Sequence, residues 1–78
     1  MSRLLSNIKI GEKVIIRKLK DSAFKVKMME MGLLEGEQLE VLFRAPLGDP
    51  IAIDVSGYTL SLRIDEAAFI TVNALSDN

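Results

Sequence analysis

Histidine and cysteine, the side chains that most often ligate transition metals or serve as base and nucleophile, are both missing from this 78-residue chain. Thiolate, disulfide and imidazole chemistry are therefore closed to it. Covalent catalysis needs a nucleophile held against a base. Only serine–lysine or carboxylate pairs are left, and Ser56, Ser61 and the lysines fall at no spacing that joins them. Glu35, Glu37 and Glu40 are close in sequence, but Glu37 and Glu40 fall on opposite faces of a strand. The chain is expected not to be an enzyme. Met28, Met29 and Met31 cluster, and thioethers suit Cu(I), yet methionine equally fills irregular cores. No metal site and no cofactor are expected. The glycine pairs in GLLEG and PLGDP do not make a phosphate-binding G-x-x-x-x-G-K-[ST] loop.

Charge is divided unevenly along the chain, which fits either a binding segment or two halves that pack together with their charges interleaved on the surface. Residues 1–29 hold eight of the ten Lys and Arg but only two of the eleven Asp and Glu, a split hidden in the net charge of −1. A basic segment can meet nucleic acid, anionic lipid or an acidic protein face. Direct binding of lipid or nucleic acid is thus one alternative, marked by steep salt dependence. Nucleic acid is not the expected partner, because the pI is about 5.3. The aromatics Phe24, Phe43, Tyr58 and Phe69 are few, and most are expected on buried faces.

No apolar run approaches the roughly 20 residues that span a bilayer. The N-terminus lacks a signal-peptide core, so a cytoplasmic location without stable membrane insertion is expected. Residues 1–74 read as one domain and 75–78 as a disordered tail.

The elements that must position any binding surface follow from periodicity. Val14–Arg17 is a β-branched run after a Gly11–Glu12 turn. Asp21 or Ser22 can cap a helix over Ala23–Met31, with Gly32 at its left-handed end. At 100° per residue Phe24, Met28 and Met31 form one narrow stripe, which predicts core. Val26 and Met29 fall on the far side. From Glu37 the period becomes two. Leu39, Val41 and Phe43 alternate with Gln38, Glu40 and Arg44; Ile51, Ile53 and Val55 follow, then Tyr58, Leu60, Leu62 and Ile64. Ser56-Gly57 marks a two-residue hairpin. Asp65 is placed to cap a single helical turn before the run Phe69–Val72. The sum is a mainly β chain with one inserted helix: a small, partly open SH3-like barrel of about five antiparallel strands.

Between the strands, Arg44-Ala45-Pro46-Leu47-Gly48-Asp49-Pro50 is a stiff loop. Both prolines of the chain fix φ there, Gly48 permits a sharp turn and Asp49 can bond local backbone. An outward Leu47 on such a loop loses little entropy on docking.

These residues resemble the FeoA family of small bacterial iron-transport proteins. The resemblance is carried by MGLLEGEQLEV (Met31–Val41), RAPLGDPIAI (Arg44–Ile53) and GYTLSLRIDEAAFITV (Gly57–Val72). It implies an SH3-like fold, no enzymatic activity, and a partner: the cytosolic side of FeoB, a membrane Fe(II) transporter with a GTP-binding domain. The same domain is similar to the C-terminal module of DtxR-type metal-dependent repressors, which keeps an interaction domain of that kind as an alternative. The expected docking residues are Val26, Met29 and Leu33 around the helix, and Pro46, Leu47, Gly48, Asp49 and Pro50 in the loop. Arg63 and Glu66 are expected to brace structure. The protein itself is expected to be a monomer or weak homo-oligomer.

Overall fold

The computed structural model describes residues 2–75. Six strands and two helices follow in the order β1 (Arg3–Leu4), a 3-10 turn (Leu5–Asn7), β2 (Lys13–Leu19), α1 (Lys25–Glu30), β3 (Gln38–Arg44), β4 (Ile51–Val55), β5 (Tyr58–Leu62), α2 (Ile64–Ala67) and β6 (Ile70–Ala74). All pairings are antiparallel, and the spatial order is β1-β6-β2-β3-β4-β5. The sheet curls without closing. Its two ends, β1 and β5, do not pair with each other. Of the tail expected at 75–78, Leu75 is described and half-buried, and 76–78 lie outside the described residues.

The core is one aliphatic cluster drawn from every strand after β1, joined by Met28 of α1, Leu33 behind it and Ala67 of α2. Leu5 and Ile8, in an N-terminal stretch with no periodicity to read, are also fully buried. Their segment is held by Arg44, whose guanidinium donates to the Ser6 and Ile8 carbonyls at 2.9 and 2.8 Å. Arg3 pairs with Glu12 across the same corner.

Two bulges bend the sheet. The β2–β6 register shifts between Ile16 and Lys18, and the β3–β4 register between Val41 and Phe43. A bulge inserts one residue and reverses which side chains face inward beyond it. So Val14, Ile16 and Leu19 are all buried, although strict alternation would place Leu19 outside. In β3 the same step turns Phe43 outward, to 57% exposure, and brings Arg44 in against the N-terminal segment. This corrects the expectation that Phe43 belongs to the buried face. Tyr58 is also exposed, so the aromatics divide into two exposed rings and the half-buried pair Phe24 and Phe69, which pack tilted at 5.6 Å between centroids.

Candidate partner-docking site

Helix α1 is short, and its ends explain its position. Ser22 Oγ accepts the Phe24 N–H at 3.2 Å, and Lys25 pairs with Asp21 at 3.0 Å. At the other end Gly32 N–H donates to Met29 O and Leu33 N–H to Met28 O, both at 3.0 Å, a Schellman closure. Gly32 is required there twice over. Its φ is +91°, and a Cβ would lie 2.5 Å from the Tyr58 hydroxyl. That hydroxyl donates to Met31 O at 2.5 Å and ties the helix end to the start of β5.

The helix presents the two faces expected. Met28 is fully buried, and Phe24 and Met31 pack on the core from its rim. Val26 and Met29 stand outside at 67% and 45% exposure. Leu33 does not join them. The Schellman turn swings it inward beside Met28 and leaves it 0% exposed, so it is a core residue and drops out of the docking surface.

A chain of polar contacts leads from α1 to the loop. Lys27 of α1 donates to Glu66 of α2 at 3.1 Å. Glu66 is 5% exposed, and its other oxygen accepts the Arg63 N–H at 2.9 Å, capping α2 from within. That backbone hydrogen bond leads in holding the Glu66 carboxyl below its ordinary range; burial opposes it, and Lys27 adds to it. Glu66 thus braces the turn as expected, through the Arg63 backbone and not its side chain. The Arg63 guanidinium lies 3.9 Å from Asp65. Asp65 does not cap α2, which begins one residue before it. The first N–H of that helix, Ile64, instead donates to Asp49 Oδ1 of the β3–β4 loop at 3.0 Å.

That contact fixes the loop base. Ala45 N–H donates to Pro50 O at 3.0 Å, and Gly48 N–H to Ala45 O at 2.7 Å. The Asp49–Pro50 peptide is cis. The prolines are exposed, Gly48 is half-buried, and Leu47 stands at the tip with 97% of its surface exposed. Of the expected docking residues, then, Val26 and Met29 share one face of α1, and Pro46, Leu47 and Pro50 the outside of the loop. Asp49 is committed to α2. Sequence reasoning missed the link between helix and loop, although Arg63-x-x-Glu66 has the spacing of a capping pair.

Among the described residues no cluster of three or more Asp or Glu is placed to hold a metal ion. None of the described helices is long and apolar enough to cross a membrane.

The FeoA domain family matches residues 3–74. A fusion protein of Porphyromonas gingivalis, comprising Fe(2+) transport protein A and the Fe(2+) transporter FeoB, is 33% identical over 75 residues. The match takes in 95% of this chain and 9% of that protein. The solution structure of a FeoA-like protein from Clostridium acetobutylicum superposes with a TM-score of 0.90 at 36% identity, covering 99% of this chain and 91% of its own. A Stenotrophomonas maltophilia FeoA complexed with zinc and described as a procaryotic SH3 domain protein has the same fold, with a TM-score of 0.81 at 24% identity and coverage of 91% and 89%.

Proposed function

The chain belongs to the FeoA family, and we propose that it is a small cytosolic accessory protein of bacterial Fe(II) uptake that binds and regulates a FeoB-type GTP-dependent transporter. It works by contact, not by catalysis or by carrying iron, since its side chains offer neither imidazole nor thiolate to a ferrous ion. The docking surface is the outer face of α1, with Val26 and Met29, together with the tip of the β3–β4 loop. The observation that carries this reading is Leu47. A leucine left 97% exposed on a loop pinned at its base is preorganised to enter a pocket on another molecule. The Porphyromonas gingivalis fusion supports the choice of partner, because it puts an equivalent sequence and FeoB in one chain.

The test is a titration of isotope-labelled protein with the isolated GTP-binding domain of its cognate transporter, with and without nucleotide, followed by amide shifts. Shifts confined to residues 24–31 and 44–50 and little changed by salt are expected. No shifts at high concentration would move the contact to the membrane part of the transporter. An affinity that collapses with salt would transfer the role to the Lys-rich N-terminal third.

A further inference from the structure

Strand β5 is an open edge. It pairs with β4 alone and ends the spatial order of the sheet. The β4–β5 hairpin turns through Ser56 and Gly57, at φ 52° and 87°, with Val55 opposite Tyr58. Those two left-handed residues make a type I′ turn, whose flanking pair exchanges both hydrogen bonds. Tyr58, Leu60 and Leu62 therefore spend their backbone groups on β4. The N–H and C=O of Thr59 and Ser61 point the other way, and among the described residues nothing bonds to them. Natural edges are blunted by lysine, proline, bulges or a covering element. Tyr-Thr-Leu-Ser-Leu has no charge and no proline, and its register with β4 runs without a shift.

We propose that this edge pairs with β5 of a second copy of the chain, antiparallel about a two-fold axis at Leu60. Only that register uses all the free groups: Thr59 meets Ser61 of the second copy and Ser61 meets its Thr59, giving four backbone hydrogen bonds. Leu60 then faces its own counterpart. Charge fits the same register. Arg63, extended and exposed just beyond β5, arrives opposite Gly57 of the other copy. There Ser56 Oγ donates to Glu37 at 3.2 Å. Glu37, Glu40 and Asp54 line a groove of about 540 Å³ that reaches Ser56 and Gly57, with Lys13 as its one cation among the described residues; Glu37 precedes β3, so it shares this side with Glu40 and not the opposite face expected from alternation. The acidic outer face of one copy thus receives the arginine of the other. One strand pair buries less than a standard interface, so the dimer forms at high concentration and dissociates on dilution.

Because Thr59 and Ser61 are exposed on the outer face, their side chains can be changed without touching the core. In Thr59→Lys/Ser61→Lys, each lysine faces a lysine across the axis; in Thr59→Lys/Ser61→Glu, each lysine faces a glutamate. Sedimentation equilibrium from about 1 mM to about 10 μM reads the association, a range suited to a weak interface. The wild type should shift from dimer to monomer across that range. The double-lysine variant should stay monomeric with an unchanged amide spectrum, and the lysine–glutamate variant should dimerise as the wild type does. A wild type monomeric throughout, or a double-lysine variant that associates like the wild type, would overturn the proposal.

Discussion

Two connections in the same sheet join neighbouring antiparallel strands, and they are built in opposite ways. The β4–β5 hairpin turns in two residues, Ser56 and Gly57, both left-handed, which matches the twist of the strands. The β3–β4 loop takes six residues, 45–50, to cover the same kind of gap. It is held by its own backbone, by two prolines and by the Asp49 contact to α2, and then points a leucine into solvent. Joining strands does not require any of this. The short turn is explained by the sheet. The long one serves the fold at one point, where Asp49 binds the Ile64 N–H, but its exposed Leu47 tip is ordered at an entropic cost that joining two strands does not require.

The largest effect separating the two is expected at Leu47. Leu47→Asp should weaken docking on the transporter domain by about 30-fold, the size of a hot-spot loss. Its melting temperature should stay at the wild-type value, because the side chain is almost fully exposed. Calorimetric titration and thermal melts on one preparation check both. The mirror image is Gly57→Ala, at φ 87°, where any side chain is strained. That variant should lose about 1 kcal/mol of stability and dock normally. If Gly57→Ala docked poorly while Leu47→Asp docked well, the comparison would be reversed.

Asp49 joins the loop to the fold, so Asp49→Ala should do a little of both. Loss of an N-terminal cap costs about 1 kcal/mol. The loosened loop should also bind several-fold more weakly, since docking then has to order it. Asp49→Asn, which keeps an oxygen for the Ile64 N–H, should recover most of each in urea titrations and binding assays.

The difference between the connections was half legible in the sequence. Ser56-Gly57 and the Pro46–Pro50 loop are local chemistry, and each reads directly. The Phe24, Met28, Met31 stripe and the outward Val26 and Met29 follow from helical period alone. Phe43 and Leu33 did not yield to that reasoning. A bulge reverses the face of every residue beyond it, and nothing in Leu39–Arg44 marks where the extra residue enters. Leu33 lies past the end of the helix, where the wheel no longer applies and the Schellman turn decides direction. The buried Leu5 and Ile8 were hidden for another reason: they belong to a corner with no repeat, pinned by Arg44 from far along the chain. Contacts made at long range between polar groups, such as Lys27 to Glu66 and Asp49 to Ile64, leave no periodic trace.

The smallest effect concerns the foundation under the long loop. Glu66 is held below its ordinary value of 4.5, first by the Arg63 N–H and further by Lys27, against the opposing effect of burial. A carboxylate depressed on folding binds protons more readily when unfolded, so its contribution to stability is complete above the unfolded value. As pH falls below about 4.5 and on through the folded value, that contribution disappears. Glu12, held down chiefly by Arg3, acts in the same sense, so the wild type should lose stability progressively in acid. In Glu66→Gln the amide oxygen still accepts the Arg63 N–H, but the charge facing Lys27 is gone. Its denaturation midpoint should be lower than that of the wild type at pH 7, and the two should converge as the pH is taken toward 3. Because Glu66 caps the helix whose first N–H is bound by Asp49, the protection of the Ile64 and Gly48 amides from exchange, taken relative to the intrinsic rate at each pH, should fall in acid before that of Tyr58 does. Protection falling equally in both hairpins would show that the long loop is stabilised by its own backbone and not by α2.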